Sequence, residues 1–154
     1  AADLLAGRAT TGKRVVIYDW LADWIGVGIA EKLARDGAHV RLAVNGVAAA
    51  INIQNYIRDE KNAILHTLGV EVLPYMRLYG ATAGTAYFLH TAAQSPVVLD
   101  GVDTVVLACP NTPNDELLPV AQRLGIAAHL IGDALAPRTA EEAVYEGLKV
   151  ANDL

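Results

Sequence analysis

Cysteine is almost absent from this chain of 154 residues, which has only Cys109. A single thiol excludes an internal disulfide, a thiolate zinc site and an iron-sulfur cluster, and it is typical of a reducing compartment. The four histidines have no metal-ligand spacing, and neither they nor Ser95 have the pattern of a catalytic triad. These histidines are His39, His66, His90 and His129. The sequence therefore predicts no metal site and no catalytic residues.

Basic clusters and long apolar runs are also missing. The chain has 12 Lys and Arg residues against 17 Asp and Glu residues, which gives a net charge of -5. Because nucleic acids and anionic membranes bind basic surfaces, we expect neither as a partner. No apolar run reaches the ~18 residues of a membrane span, and no secretory leader is recognisable. These absences predict a cytoplasmic protein.

The composition is rich in the residues that fill a buried sheet. Hydrophobic residues make up 53% of the chain and charged residues 19%, which is typical of α/β proteins whose strands are covered on both faces. Residues 13–18 form a β-branched run that predicts a buried parallel strand. A helix is predicted from near Ile25 to a stop at Asp36 and Gly37, followed by a strand over 39–44. These three elements form a βαβ unit.

The rest of the chain continues this alternation. A helix is predicted over 54–68, with a buried side formed by Tyr56, Ile57, Ile64, Leu65 and Leu68. The later elements are a strand over 70–73, an antiparallel meander (77–80, 86–91 and 96–99), a strand over 104–108, a helix over 114–124 capped by Asn114, and a strand over 127–131. A last helix follows a capping box formed by Thr139 and Glu142. Its apolar stripe is Ala140, Ala143, Val144, Gly147, Leu148 and Ala151.

The order of these elements predicts an α/β fold, a Rossmann-like parallel sheet with a three-stranded antiparallel β-meander as the crossover to its fourth strand. We expect a single domain over 1–154. The same order occurs in the second nucleotide-binding domain of flavoproteins that bind two dinucleotides. On that comparison, residues 12–128 correspond to an NAD(P)H-type domain, and residues 129–154 would complete the FAD or ADP domain of a larger enzyme.

Several motifs strengthen the comparison. The segments 4–7 with 12–19, 28–34 and 131–143 together resemble the trimethylamine dehydrogenase and 2,4-dienoyl-CoA reductase group of old-yellow-enzyme-like flavoproteins. Within that group, the run 19–26 is most similar to demethylases of N-methylated amino acids such as dimethylglycine. The resemblance implies a parent enzyme that begins with a TIM barrel holding FMN, usually an iron-sulfur cluster, and the first part of an FAD or ADP domain.

None of those parts lies in this sequence, so the chain corresponds to the last part of such an enzyme. We expect a fragment of a longer polypeptide rather than a separate subunit. Its partners would then be the barrel and first nucleotide domain of the parent, and an electron-transfer flavoprotein is a further possible partner.

The turn after the first strand is where a dinucleotide pyrophosphate would bind in this fold. It lacks the G-x-G-x-x-G fingerprint, and the carboxylates of Asp19 and Asp23 would repel a phosphate. If a dinucleotide does bind here, Asp19 and Gly26 would face it and Asn45 would hydrogen-bond a ribose hydroxyl. We favour the alternative, that this turn packs or docks on a neighbouring protein surface.

The segment before the last helix is the stronger candidate binding site. The resemblance implies that it contacts FAD or ADP, with Asp133 accepting from a ribose or ribityl hydroxyl and the helix amides meeting a phosphate. The candidate residues are Gly132, Asp133, Ala134, Pro137 and Arg138. The alternative is structural: Asp133 ends a strand and Thr139 caps a helix.

The expected function is that of a dinucleotide-binding part of an FMN-dependent oxidoreductase of N-methylated amines. One alternative is a part of an NAD(P)H-dependent enoate or 2,4-dienoyl-CoA reductase, which would need a working nucleotide turn. Another is a stand-alone, non-catalytic domain that binds an adenine nucleotide or a protein.

Overall fold

Two compact units make up the chain, Ala1–Cys109 and Pro110–Leu154. The structure, a computed structural model, describes residues 1–153. Among these residues no helix is both long enough and apolar enough to cross a bilayer. The assignment of residues 12–128 to an NAD(P)H-type domain, and of residues 129–154 to the FAD or ADP domain of a parent enzyme, stays a prediction.

A four-stranded parallel sheet forms the centre of the first unit. Its strands are β1 (Arg14–Asp19), β2 (His39–Val44), β3 (Glu71–Leu73) and β7 (Thr104–Ala108), and their order in the sheet is β3-β2-β1-β7. The helices are α1 (Ala2–Leu5), α2 (Trp24–Arg35) and α3 (Asn55–Thr67). An antiparallel sheet is formed by β4 (Met76–Thr82), β5 (Gly84–His90) and β6 (Ser95–Val102). The predicted fold class is therefore confirmed.

Both faces of the parallel sheet are buried, which explains why its strands are rich in β-branched residues. One face packs against the helices, in a cluster that includes Ile17, Ile29 and Leu65. The other face packs against the meander, where Val16 and Phe88 belong to a second cluster. The predicted buried side of α3 was wrong in one residue: Tyr56 is 71% exposed.

The second unit contains α4 (Leu118–Arg123), a 3-10 turn (Gly132–Ala134) and α5 (Ala140–Asp153). The prediction of a helix over 114–124 was too long, and Asn114 is not its cap. The helix begins after Leu117, with a proline in its first turn. Proline suits that turn because its fixed φ is helical and its missing N–H would have no helical partner.

The predicted strand over 127–131 was also wrong, because these residues have no strand structure. A β-strand is stable only when its backbone groups pair with a neighbouring strand. No such ladder to residues 127–131 is found among the described residues. An apolar, β-prone run alone does not supply that neighbour.

The capping box at the start of α5 is confirmed. Thr139 Oγ1 accepts a hydrogen bond from the Glu141 N–H at 3.3 Å, and the Thr139 N–H donates to Glu142 Oε2 at 3.0 Å. The Glu142 carboxylate also accepts from the Thr139 hydroxyl, and these bonds lower the pKa of Glu142. The apolar stripe of this helix is largely exposed, with Val144 at 73% and Leu148 at 60%.

Replacing Thr139 by alanine should therefore destabilise the second unit by ~1 kcal/mol, since the cap oxygen is lost. Thermal unfolding followed by circular dichroism measures this effect. Thr139→Ser keeps the oxygen and is the matched control, which we expect to unfold close to the wild type. An alanine variant that melts with the wild type would show that the cap does not contribute to stability.

Candidate functional site

The first candidate site lies at the carboxyl edge of the parallel sheet, where this fold binds ligands. Asp19 ends β1 opposite Val44, the last residue of β2. The Asn45 N–H donates to the Asp19 carbonyl oxygen at 3.1 Å. The sheet thus brings together Asp19 and Asn45, two residues that the sequence predicted for this edge.

Asp19 does not face a space for a ligand, because its side chain is fully buried. Its Oδ1 atom accepts from the Ala22 N–H at 2.9 Å. Its Oδ2 atom is buried and has no hydrogen-bond partner among the described residues. The pKa of Asp19 is raised to about 6, mainly by burial. The hydrogen bond from Ala22 lowers the pKa, and the nearby charge of Asp23 raises it.

Gly26 is placed by the same carboxyl group. A Cβ atom at this position would lie 2.2 Å from Asp19 Oδ2 and 2.8 Å from Asp19 Cβ. The glycine therefore lets α2 approach the buried aspartate. Gly28, two residues further along the helix, has open space where its Cβ would be. Gly26 is thus explained by packing without any phosphate.

The N-terminus of α2 is capped by the chain itself. Asp23 Oδ1 accepts from the Ile25 N–H at 2.9 Å, so a side-chain carboxylate occupies the end of the helix that would attract a pyrophosphate. Trp24 is the first residue of α2 and Trp20 precedes it by four residues, and the two are 50% and 39% exposed. These features favour a surface that packs or docks over one that binds a dinucleotide.

Two residues at this edge were missed in the sequence. Asn52 closes the turn: its Nδ2 atom donates to the Leu21 carbonyl at 2.7 Å, and its N–H donates to the Ala22 carbonyl at 3.1 Å. Tyr75 is held beside β2 by a hydrogen bond from its N–H to the Gly46 carbonyl at 2.9 Å. No local pattern marks either residue, because their partners are about 30 residues away in sequence.

The single thiol lies at the end of β7 and is exposed. Desolvation raises the pKa of Cys109, and the charge of Asp19 raises it further. A raised pKa disfavours the thiolate, which is the reactive form of cysteine. The structure therefore offers no support for a reactive cysteine.

The second candidate site is the segment before α5. Gly132 has a φ of +57°, in the left-handed region that favours glycine. Asp133 follows in the 3-10 turn and is exposed, whereas Ala134 and Pro137 are half-buried. Arg138 forms an ion pair with Glu146. The predicted residues thus lie on one short segment, with the Asp133 carboxylate accessible to a ligand.

Glu146 was not predicted as a site residue. Its Oε2 atom accepts from the Gly132 N–H at 2.7 Å, and its Oε1 atom accepts from the Arg138 guanidinium. Glu146 lies on α5, 14 residues after Gly132 and 8 after Arg138. The helical pattern of α5 gave no sign that this side chain turns back onto the preceding loop.

No protein-family model matches the chain, and neither does any curated protein. Solved structures do match it. Histamine dehydrogenase from Rhizobium sp. 4-9 superimposes with a TM-score of 0.86 at 26% identity, over 99% of this chain and 25% of that one. The 6-hydroxypseudooxynicotine amine oxidase from Pseudomonas geniculata N1 superimposes with a TM-score of 0.83 at 23% identity, over 96% of this chain and 23% of that one.

A third structure, 2-naphthoyl-CoA reductase, has a TM-score of 0.78 at 20% identity, over 99% of this chain and 23% of that one. The chain spans about a quarter of the length of these three proteins. The chain therefore has the fold of one part of these oxidoreductases, two of which are named as a dehydrogenase and an oxidase of amines.

Proposed function

We propose that the chain is the nucleotide-binding part of an FMN-dependent oxidoreductase that oxidises N-methylated amines of the dimethylglycine type. In this proposal it completes an FAD or ADP site and supports electron transfer to an acceptor such as an electron-transfer flavoprotein. FMN and an iron-sulfur cluster belong to other parts of the parent enzyme. The main support is the match over 99% of this chain to a quarter of histamine dehydrogenase.

In the proposed site, Asp133 accepts a hydrogen bond from a ribose or ribityl hydroxyl of the nucleotide. The support is its exposed position in the turn between Gly132 and Ala134. Because this segment forms only one wall, the chain alone would leave much of a nucleotide in water, whereas binding sites usually bury most of their ligand. The isolated chain is then colourless and lacks dehydrogenase activity.

Asp133→Ala in the full-length protein should lower nucleotide affinity by ~1 to 3 kcal/mol, because a ligand hydroxyl loses its acceptor. The measurement is the content of FAD and ADP in protein purified at limiting nucleotide. Asp115→Ala removes an exposed aspartate from the same unit and is the control. Equal nucleotide content in wild type and Asp133→Ala would contradict the proposed role of Asp133.

The β1–α2 turn should not bind a reduced nicotinamide dinucleotide. Titration of the chain with NADH or NADPH by calorimetry is expected to give a Kd no tighter than about 1 mM, equivalent to about 4 kcal/mol. The reasons are the buried Asp19 and the Asp23 cap, which leave no free helix terminus for the pyrophosphate. A micromolar Kd would instead support the second candidate function.

That second candidate is part of an NAD(P)H-dependent 2-enoate or 2,4-dienoyl-CoA reductase. It is favoured by the fold match to 2-naphthoyl-CoA reductase. A stand-alone domain that binds a nucleotide or a protein is the remaining alternative. An open reading frame that continues upstream into a barrel would exclude the stand-alone domain.

A further inference from the structure

Glu146 lies on the side of α5 that faces the preceding loop. Its side chain is 14% exposed, whereas Val144 and Tyr145 are 73% and 66% exposed. The carboxylate uses one oxygen for the Gly132 N–H, at 2.7 Å, and the other for the Arg138 guanidinium. One side chain therefore connects the 3-10 turn, the start of α5 and the body of that helix.

The bond to Gly132 fixes the backbone from which Asp133 projects. Gly132 has the left-handed conformation, and its Cβ position lies 3.1 Å from the Ala143 Cβ atom. The turn is thus held on α5 by close packing and by a hydrogen bond to a charged acceptor, which is stronger than one between neutral groups. Arg138 is also held in place, because its guanidinium is bound to the same carboxylate.

We infer that Glu146 is a positioning residue for the nucleotide site: it holds the Gly132–Ala134 turn so that the Asp133 carboxylate faces the ligand hydroxyl. This inference rests on the proposed function. A preorganised polar group binds more tightly because less conformational freedom is lost on binding. Glu146 therefore acts on the ligand through Asp133 and makes no contact with the ligand itself.

A double-mutant cycle between Glu146 and Asp133 tests this role, with ADP as the probe and the nucleotide-depleted full-length protein as the sample. Glu146→Ala should weaken ADP binding about ten-fold. This factor is the lower end of the range seen at metal sites when a residue that orients a direct ligand is removed, and Glu146 orients Asp133 in the same way. In an Asp133→Ala background, the same change should weaken binding by less than about two-fold, because coupled residues are not additive. Calorimetry gives all four dissociation constants.

Glu146→Gln supplies a variant that keeps the fold, since its amide oxygen still accepts from the Gly132 N–H while the ion pair with Arg138 is lost. We expect it to recover most of the affinity lost in Glu146→Ala. Asp153→Ala is the control, because Asp153 is an exposed carboxylate at the other end of the same helix. It should bind ADP like the wild type.

The inference is overturned if Glu146→Ala weakens ADP binding by the same factor with and without Asp133, which would mark a general structural role. It is also overturned if Glu146→Ala and Glu146→Gln both bind ADP like the wild type while Asp133→Ala binds it weakly. That second result would leave the proposed function standing. A wild-type protein that binds no ADP would overturn both.

Discussion

Asp19→Asn should remove a pH dependence of stability that is large in the wild type. The folded-state pKa of Asp19 is about 6, against an ordinary value of 3.8, so between these values the folded state binds more protons than the unfolded state. The stability that the protonated group provides is complete below pH ~4 and is lost as the pH rises through ~6. The loss by pH 7 is about 3 kcal/mol, from a shift of about two pKa units at 1.36 kcal/mol each.

Urea unfolding of both proteins at several pH values between 4 and 7 measures this effect. We expect the wild type to lose about 3 kcal/mol relative to Asp19→Asn over that interval. The comparison across pH is independent of any constant cost of burying the new amide, since that cost is the same at each pH. Asp115→Asn controls for the removal of one negative charge from an exposed position. Parallel stability curves for wild type and Asp19→Asn would contradict the buried, unpaired carboxyl group.

Gly26→Ala should be strongly destabilising, although alanine is normally the better helix former. The new Cβ would lie 2.2 Å from Asp19 Oδ2 and 2.8 Å from Asp19 Cβ, and a fully buried side chain has little room to move. Overpacking of this kind costs about 1 to 3 kcal/mol or more, which exceeds the gain of up to ~1 kcal/mol in helix propensity. We expect a net loss of about 2 kcal/mol by urea unfolding.

Gly28→Ala is the matched control on the same helix. Apart from the adjoining backbone of α2, no atom lies within 4 Å of its Cβ position, so the change should stabilise the protein by up to ~1 kcal/mol through helix propensity. The two glycine variants are therefore expected to change stability in opposite directions.

A second test combines Gly26→Ala with Asp19→Ala, which removes the clashing carboxyl group. The double variant should be less destabilised than the sum of the two single changes predicts. Additive effects would mean that Gly26 does not pack on Asp19.

Asp19 and Gly26 also bear on the function of the β1–α2 turn. In a dinucleotide site, glycines of this turn let a phosphate approach the backbone. Here the close approach is made by a carboxyl group of the same chain, and the helix terminus is taken by Asp23. At the β1–α2 turn, the position of a pyrophosphate in this fold is thus filled by internal contacts. The segment around Asp133 is therefore the stronger candidate for a nucleotide site.

The parts of the structure that depend on neighbouring residues in the sequence were predictable. Strands β1 and β7 were identified because a strand buried on both faces leaves a run of apolar, largely β-branched residues. The meander followed from alternating short runs separated by turn residues. The capping box of Thr139 and Glu142 could be identified because its two hydrogen bonds form within one helical turn.

The candidate sites depend instead on contacts between distant segments. Residues 127–131 have the composition of a strand, but a strand also requires a paired neighbour, which sequence composition does not supply. The burial of Asp19 requires α2 to pack at Gly26, and Glu146 is recognisable only once α5 folds against the Gly132 turn. Local sequence determines hydrogen bonds within a turn or a helix, whereas tertiary packing decides which polar group is buried, which one is paired and which one is left open to a ligand.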